Sequence, residues 1–257
     1  MPHKLAPYIT ALLLACITCA GQVSQDPQAV AEINTSINAS GGIPAISAIS
    51  DFTATGNITY YWATQNVQGT VTLKALGTSN FRSDAVLPSG TQSWAVTNNS
   101  GTLVDTAGTR TTIPFYNAVN IGILSWRMPN LIAALSNSSA TISYLGSVQS
   151  DAGQAIQVHF QVTDPTNPDP STATFNTIDY FFDPTTNLLI ESIDTTYPST
   201  NFSNGLPHEI VYSNYQNVDG VMIPFSVVEK ISNQETWSVQ LTGISFNTGL
   251  ALSDFQL

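Results

Sequence analysis

The side chains that could do chemistry are few, and their spacing argues against most of what they could do. Two histidines follow the first twenty residues, His159 and His208. His159 falls on the polar face of the alternating run Ile156-Gln157-Val158-His159-Phe160-Gln161-Val162, as a solvated or hydrogen-bonded strand residue does. His208 follows Pro207 in what reads as a loop before a strand, with Glu209 beside it. Neighbours along a strand point to opposite faces, so the two chelate poorly, and zinc asks for three or four ligands. Asp164, Asn167 and Asp169 suggest calcium by type, but they lack the spacing, the Gly and the distal Glu of an EF-hand. With Pro165, Pro168 and Pro170 between them they read as a stiff surface turn. Asp179, Asp183, Glu191 and Asp194 could supply the carboxylate pair of glycoside hydrolysis. Yet Asp183 precedes Pro184 as a type I turn opener does, and Glu191 and Asp194 have opposite strand parity. Gly-x-Ser-x-Gly, His-Glu-x-x-His, the P-loop and Gly-x-Gly-x-x-Gly are absent. The residues therefore point away from an enzyme and to no metal or cofactor. A carboxylate hydrolase is the remotest of the functions considered.

The remaining candidate is an apolar insertion between Pro114 and Asn137. Phe115, Val119, Ile121, Ile123, Leu124, Trp126 and Met128 cluster there without alternation. Pro129 then opens a short helix with Leu131, Ile132 and Leu135 on one side. Trp126, Met128, Leu131, Ile132 and Leu135 read either as a lid over a ligand cavity or as a plug that fills the core. Arg127 lies among them and can meet an anionic head group or, as the plainer reading has it, one of many carboxylates.

These residues need elements to position them. Asp26-Pro27 is an N-cap followed by Pro at the first helical position, and Val30, Ile33 and Ile37 share one face before Gly41-Gly42 stops the helix. A short second turn runs from Pro44 to Ile49. From Phe52 onward the period is two: Phe52, Ala54, Ile58, Tyr60 and Trp62 alternate with polar neighbours, Gly56 marking a bend or bulge. Strand, turn and strand repeat to Thr97 and again from Thr141 to Phe246. This gives about ten or eleven strands in hairpin sequence and no βαβ rhythm, hence a mainly β (α+β) chain. One large curved antiparallel sheet, a half-open barrel, is expected, with an N-terminal helix and a short central helical lid. Ile156, Val158, Phe160 and Val162 form a strand face that must be covered, and are candidate cavity-wall residues.

Residues 1–20 read as a secretory signal: a basic start, an apolar run from Ile9 to Ile17 and small residues to Ala20. The run is too short for a membrane span. Residues 21–257 are then a single exported domain, periplasmic or extracellular. Both cysteines, Cys16 and Cys19, lie within the signal, so neither a disulfide framework nor thiol catalysis is expected after cleavage. Leu13-Leu14-Ala15-Cys16 is similar to a bacterial lipobox, which leaves a lipid anchor at Cys16 as an alternative. Past Lys4, five basic residues face seventeen acidic ones, a balance that excludes nucleic acid as a partner. Asn34, Asn38, Asn57, Asn98, Asn137 and Asn201 open Asn-x-Ser/Thr triplets, which would matter only in a eukaryotic host.

Four stretches carry a family resemblance. They are Ile46 to Gly56, where a helix runs into a strand; Gly69 to Arg82; the hairpin Tyr180 to Ser192 around Asp183-Pro184; and Tyr212 to Phe225 around Asp219-Gly220. In order and spacing the chain resembles the lipoprotein-carrier superfold of LolA/LolB-like periplasmic proteins and LppX-like lipid carriers. The resemblance implies a half-open barrel whose apolar face binds an acyl chain, lipid or lipoprotein beneath a helical lid. The carriers' lid-latching Arg would fall near Ala75, which departs from the pattern. The expected function is thus a monomeric, non-enzymatic carrier at the cell envelope. The alternative is a structural or interaction module with a fully packed interior.

Overall fold

The computed structural model describes residues 24–62, 65–98, 100–121, 126–162, 177–198 and 204–257, with side chains not described at 119–121. The expected signal segment, Ile123, Leu124 and the Asp164–Asp169 turn lie outside these residues.

The N-terminal helix α1 spans Pro27–Ala39 and begins as its sequence dictates. The Asp26 carboxylate accepts the Gln28 N–H at 2.8 Å, satisfying a donor that the first helical turn leaves orphaned. Its inward stripe is Ala29, Ile33, Ser36 and Ile37. Helix α2, Gly42–Ser47, follows after Gly41, which has φ 121°. A Cβ at Gly41 would lie 2.6 Å from the Gly220 carbonyl, so both conformation and space demand glycine there.

Among the described residues thirteen antiparallel strands form one sheet. The first series is β1 Asp51–Trp62, β2 Gln65–Leu76, β3 Asn80–Leu87, β4 Gly90–Thr97, β5 Ser100–Val104 and β6 Arg110–Ile113. Helices α3, Phe115–Ile121, and α4, Met128–Leu135, then lead to β7 Ala140–Ser150, β8 Gly153–Val162, β9 Thr177–Phe182, β10 Leu189–Thr196, β11 Leu206–Val218, β12 Val221–Ile231 and β13 Gln234–Phe246. Every neighbour in the sheet is consecutive in sequence except one: β1 pairs with β13, Phe52 opposite Phe246 and Tyr60 opposite Trp237. Each half is a meander, and the seam between them joins the two ends of the chain. The edges are β6 and β7, so the sheet is curved but not closed into a barrel. Part of the excess over ten or eleven is β6, a short strand with three exposed residues, Arg110, Thr111 and Thr112. Having no buried face, it shows no alternation. The β7 edge is partly paired by the N-terminal segment, Asp26 N–H donating to Ile142 C=O at 2.8 Å, which limits edge-to-edge association.

Helices α3 and α4 connect one sheet edge to the opposite one, so this segment must cross the sheet. It crosses on the concave face. Ile33, Ile37, Ile46, Met128 and Leu131 there join Phe52, Val158, Phe160, Phe182, Leu189, Ile210, Tyr212 and Ile223 in one buried cluster. At Thr55/Gly56 the register of β1 against β13 shifts, and a Cβ on Gly56 would lie 2.4 Å from the Gln240 carbonyl. A bulge at that point bends the strand and helps curl the sheet.

The convex face is closed by the chain's end. Asp51 accepts the Thr248 N–H at 2.6 Å, the Thr248 hydroxyl at 2.8 Å and the Gly249 N–H at 3.3 Å. Asp254 pairs with Lys74 at 3.3 Å, and Arg82 donates to the carbonyls of Asp254 and Gln256. Phe255 is buried beside Ala95, Thr97 and Thr102. Burial raises the Asp51 carboxyl, but the donors from Thr248, Gly249 and Ser50 outweigh it and hold the group below the usual carboxylate range. Its stabilisation is therefore present above pH ~4 and lost as pH falls through the lowered value. Asp51→Ala removes the shared acceptor of these charge-assisted hydrogen bonds and should destabilise the fold by about 1.5 kcal/mol at pH 7. Urea unfolding of both forms checks this, and the difference should shrink on acidification.

Candidate functional site

The concave face carries two distinct surfaces, one ionic and one apolar. The ionic surface follows from strand register. Asp194 on β10 lies opposite His208 on β11, and Ile210 lies opposite Glu229 on β12. His208 therefore stands between two carboxylates, Nδ1 at 2.6 Å from Asp194 Oδ1 and Nε2 at 3.0 Å from Glu229 Oε1. Both ring nitrogens face acceptors, which only an imidazolium satisfies with two N–H donors. Burial lowers the His208 pKa, but the charges and hydrogen bonds of Asp194 and Glu229 outweigh it and push the group up to about 10. The second Glu229 oxygen accepts the Thr236 hydroxyl.

Arg127, the residue before α4, reaches the same carboxylate from above. Its Nη2 donates to Asp194 Oδ2 at 3.2 Å and its Nε to the Tyr212 hydroxyl at 3.2 Å. Both side chains of the Arg127–Asp194 pair are almost wholly buried. Burial raises the Asp194 carboxyl, while the His208 and Arg127 cations outweigh that and hold it low. Burial also opposes the Arg127 charge, and its neighbours Tyr212, Tyr180 and Asp194 restore it. The four charges alternate in sign and sum to zero. The chain pins the start of α4 to three strands.

His208 lies within strand β11, not in a loop, and is 4% exposed. Pro207 is tolerated near the strand's start, where sequence alone reads a break. Parity excluded a pairing of His208 with Glu209 correctly, but parity says nothing of neighbours across the sheet. His159 is half-buried and bonded to Asp179 at 2.8 Å. Asp183 caps its turn through the Thr185 and Thr186 N–H groups. Glu191 is buried under the β7–β8 turn near the Ala152 N–H. Thus Asp179, Asp183, Glu191 and Asp194 each have separate partners and do not converge as a carboxylate pair. Among the described residues no group of His, Cys, Asp and Glu is placed to hold a metal ion.

The apolar surface is a groove over β1–β4 and the adjoining β12 and β13. Ile58, Tyr60, Leu73, Phe81, Trp94, Val227, Trp237, Val239 and Leu241 line its narrow part, about 20 Å³. Through Tyr60, Trp94 and Trp237 it continues into a wider mouth of about 270 Å³, where Gln92, Leu103, Ile113 and Glu229 join the wall. Trp94 stacks on Phe81 at 4.9 Å, and Gln92 donates to the Tyr60 hydroxyl at 3.1 Å. All these lining residues belong to strands.

Of the insertion residues, Met128 and Leu131 are core, and Ile132 and Leu135 pack against it. Trp126 stacks on Phe246 at 6.3 Å. With Ile132 it borders a separate cavity of about 150 Å³ near α2 and the start of β1. Val158 and Phe160 are core, Val162 packs against the core, and Ile156 is half-buried. None of these four lines the groove. Its walls went unmarked in the sequence, although inward-parity aromatics on three strands, Tyr60, Trp94 and Trp237, were a usable signal.

This is the architecture of the LolA-like lipoprotein-carrier fold. The chain superposes on a LolA superfamily protein from Nitrosomonas europaea with a TM-score of 0.52 and 12% identity, over 90% of this chain and 97% of that one. A DUF1329 family protein from Desulfovibrio piger gives 0.55 and 8%, over 88% and 98%. An outer-membrane lipoprotein-sorting protein domain from Vibrio parahaemolyticus gives 0.52 and 12%, over 80% and 89%. At such identities the likeness is one of fold. No family model matches the sequence, and no curated protein matches it. No helix among the described residues is long and apolar enough to cross a membrane.

The ionic chain has a pH signature. His208 has a folded pKa raised above its ordinary ~6.5, so its stabilisation is complete below that value and lost as pH rises toward 10. Stability should fall between pH ~6.5 and 10 with a slope approaching one proton, and His208→Gln should flatten it. Chemical denaturation across that range reads the slope. Arg127→Ala, which leaves the buried Asp194 with His208 as its remaining ionic partner, should cost about 3 kcal/mol at pH 7, measured the same way.

Proposed function

We propose that the protein is an exported, non-enzymatic carrier that holds an acyl chain or a similarly slender hydrophobic group in the groove of its concave face. The observation that carries this reading is the groove itself. A sheet whose helices packed its entire inner surface would leave Trp94 and Trp237 covered, but both are only half-buried. Instead an apolar channel opens beside Glu229. Its mouth lies near the lower end of the ~300–1,000 Å³ range of small-molecule sites, and each methylene it buries contributes about 0.8 kcal/mol. The fold supports the reading too, since the lipoprotein-sorting domain from Vibrio parahaemolyticus shares it. The alternative of a fully packed envelope module describes the part of the face beneath α1, α2 and α4, but not the part over β1–β4. The expected secretory signal accounts for export.

In this reading α4 is a fixed cover. Trp126, Met128, Leu131, Ile132 and Leu135 shape the core that fixes the sheet's curvature, and Arg127 holds that cover through Asp194. The strand face with Val158, Phe160 and Val162 is the wall beneath it. Ligand contact falls to the opposite half of the sheet.

A neutral pyrene-labelled monoacylglycerol, titrated into the purified protein, should bind saturably with one site. Leu241→Trp, which fills the narrow part of the groove from a half-buried position, should weaken binding at least tenfold while leaving the unfolding midpoint nearly unchanged. Absence of saturable binding by the unmodified protein would sink the proposal.

A further inference from the structure

The mouth of the groove has a chemistry of its own. Its wall combines two indoles, a phenol and one carboxylate: Trp94, Trp237, Tyr60 and Glu229. The rest is Gln92, Leu103 and Ile113. No basic side chain lines it, and none is free to swing in. Lys74 is paired with Asp254, and Arg82 with Asp84 and the C-terminal segment. Arg110 donates to the Leu257 carbonyl, Arg127 to Asp194, and Lys230 to Glu209 and Asp151. These five are all the basic residues after Lys4. The single cation nearby, His208, is 4% exposed and lies behind Glu229, with both ring nitrogens already donating. Of the four groups in the ionic chain, Glu229 alone reaches the groove.

An anionic head group would therefore meet a carboxylate and three electron-rich aromatic side chains. A cation meets the opposite. Aromatic faces attract ammonium groups within about 6 Å, the more so where water is thinned. The surrounding field has the same sign, with seventeen acidic residues in the chain against six basic ones. We propose that the groove mouth is a cationic head-group site, selecting amphiphiles that end in a quaternary or substituted ammonium over anionic ones. The inference rests on the groove being the ligand site and adds which end group it accepts.

Three probes with the same twelve-carbon chain separate the possibilities: dodecyltrimethylammonium, monolauroylglycerol and dodecyl sulfate. Each is titrated below its micelle concentration by calorimetry, in about 0.15 M salt, where screening beyond about 8 Å suppresses diffuse attraction to an acidic surface. The ammonium should bind about tenfold tighter than the neutral glyceride, and the sulfate most weakly. Trp94→Leu and Trp237→Leu should each bring the ammonium close to the glyceride; because both rings also line the apolar groove, the readout is the ratio of the two affinities within each variant, which should fall from about tenfold toward one. Equal binding of ammonium and glyceride overturns the head-group site and leaves the groove standing. An ammonium preference that survives both substitutions also overturns it, because the attraction is then to the surface at large. No binding of any probe overturns both readings.

Discussion

The pairing of β1 with β13 is the constraint on which the rest of this structure depends. It joins residues almost two hundred positions apart, such as Phe52 and Phe246, and turns two separate meanders into one sheet. Closing so long a loop is entropically costly but grows only slowly with length. Once it is made, β6 and β7 become opposite edges, and the segment between them must cross a face of the sheet. The central helices thus cover the concave side as a consequence of topology. The tail after β13 emerges next to β1, where Asp51 receives the Thr248 and Gly249 N–H groups.

A buried cation is tolerable only with a partner, and this explains how the cover is held. Arg127 loses hydration beneath α4 and is partly compensated by the Asp194 carboxylate and the Tyr212 hydroxyl, its Nη1 remaining without a hydrogen-bond partner among the described residues. Asp194 is shared with His208, and His208 with Glu229. Replacing such a chain with apolar side chains could be as stable, so stability alone does not account for it. It fixes where α4 begins relative to β10–β12. It also brings one carboxylate to the groove, with its counter-charge set behind it. The Arg that latches the lid in the carriers this chain resembles has no counterpart at Ala75; here the arginine comes from the cover and the carboxylate from the sheet.

Much of the fold was legible residue by residue. Alternation in β1 and β8, the Asp26 cap, the glycine stop at Gly41 and the Asp183 turn follow from local chemistry, and each element formed where its pattern put it. The β6 edge was not legible, because a strand without a buried face has no period. The site was less legible than the fold. Tyr60 was visibly inward, yet its companions Trp94 and Trp237 lie in strands far away in sequence. The apolar insertion drew attention because it breaks the alternation; of its described residues Trp126, Met128 and Leu131 are core, whereas Phe115 is exposed.

By itself the sequence determined the class of fold, the face each strand residue takes and the poverty of catalytic groups. These depend on a period of two, on turn residues and on composition, all local quantities. Only the tertiary structure decided that His208 lies between Asp194 and Glu229, that Arg127 completes the chain, and that three aromatic rings line an open groove while the helices fill another part of the same face. Parity assigns a side chain to a face; register and sheet order choose its neighbours there, and both were set by a pairing between the two ends of the chain.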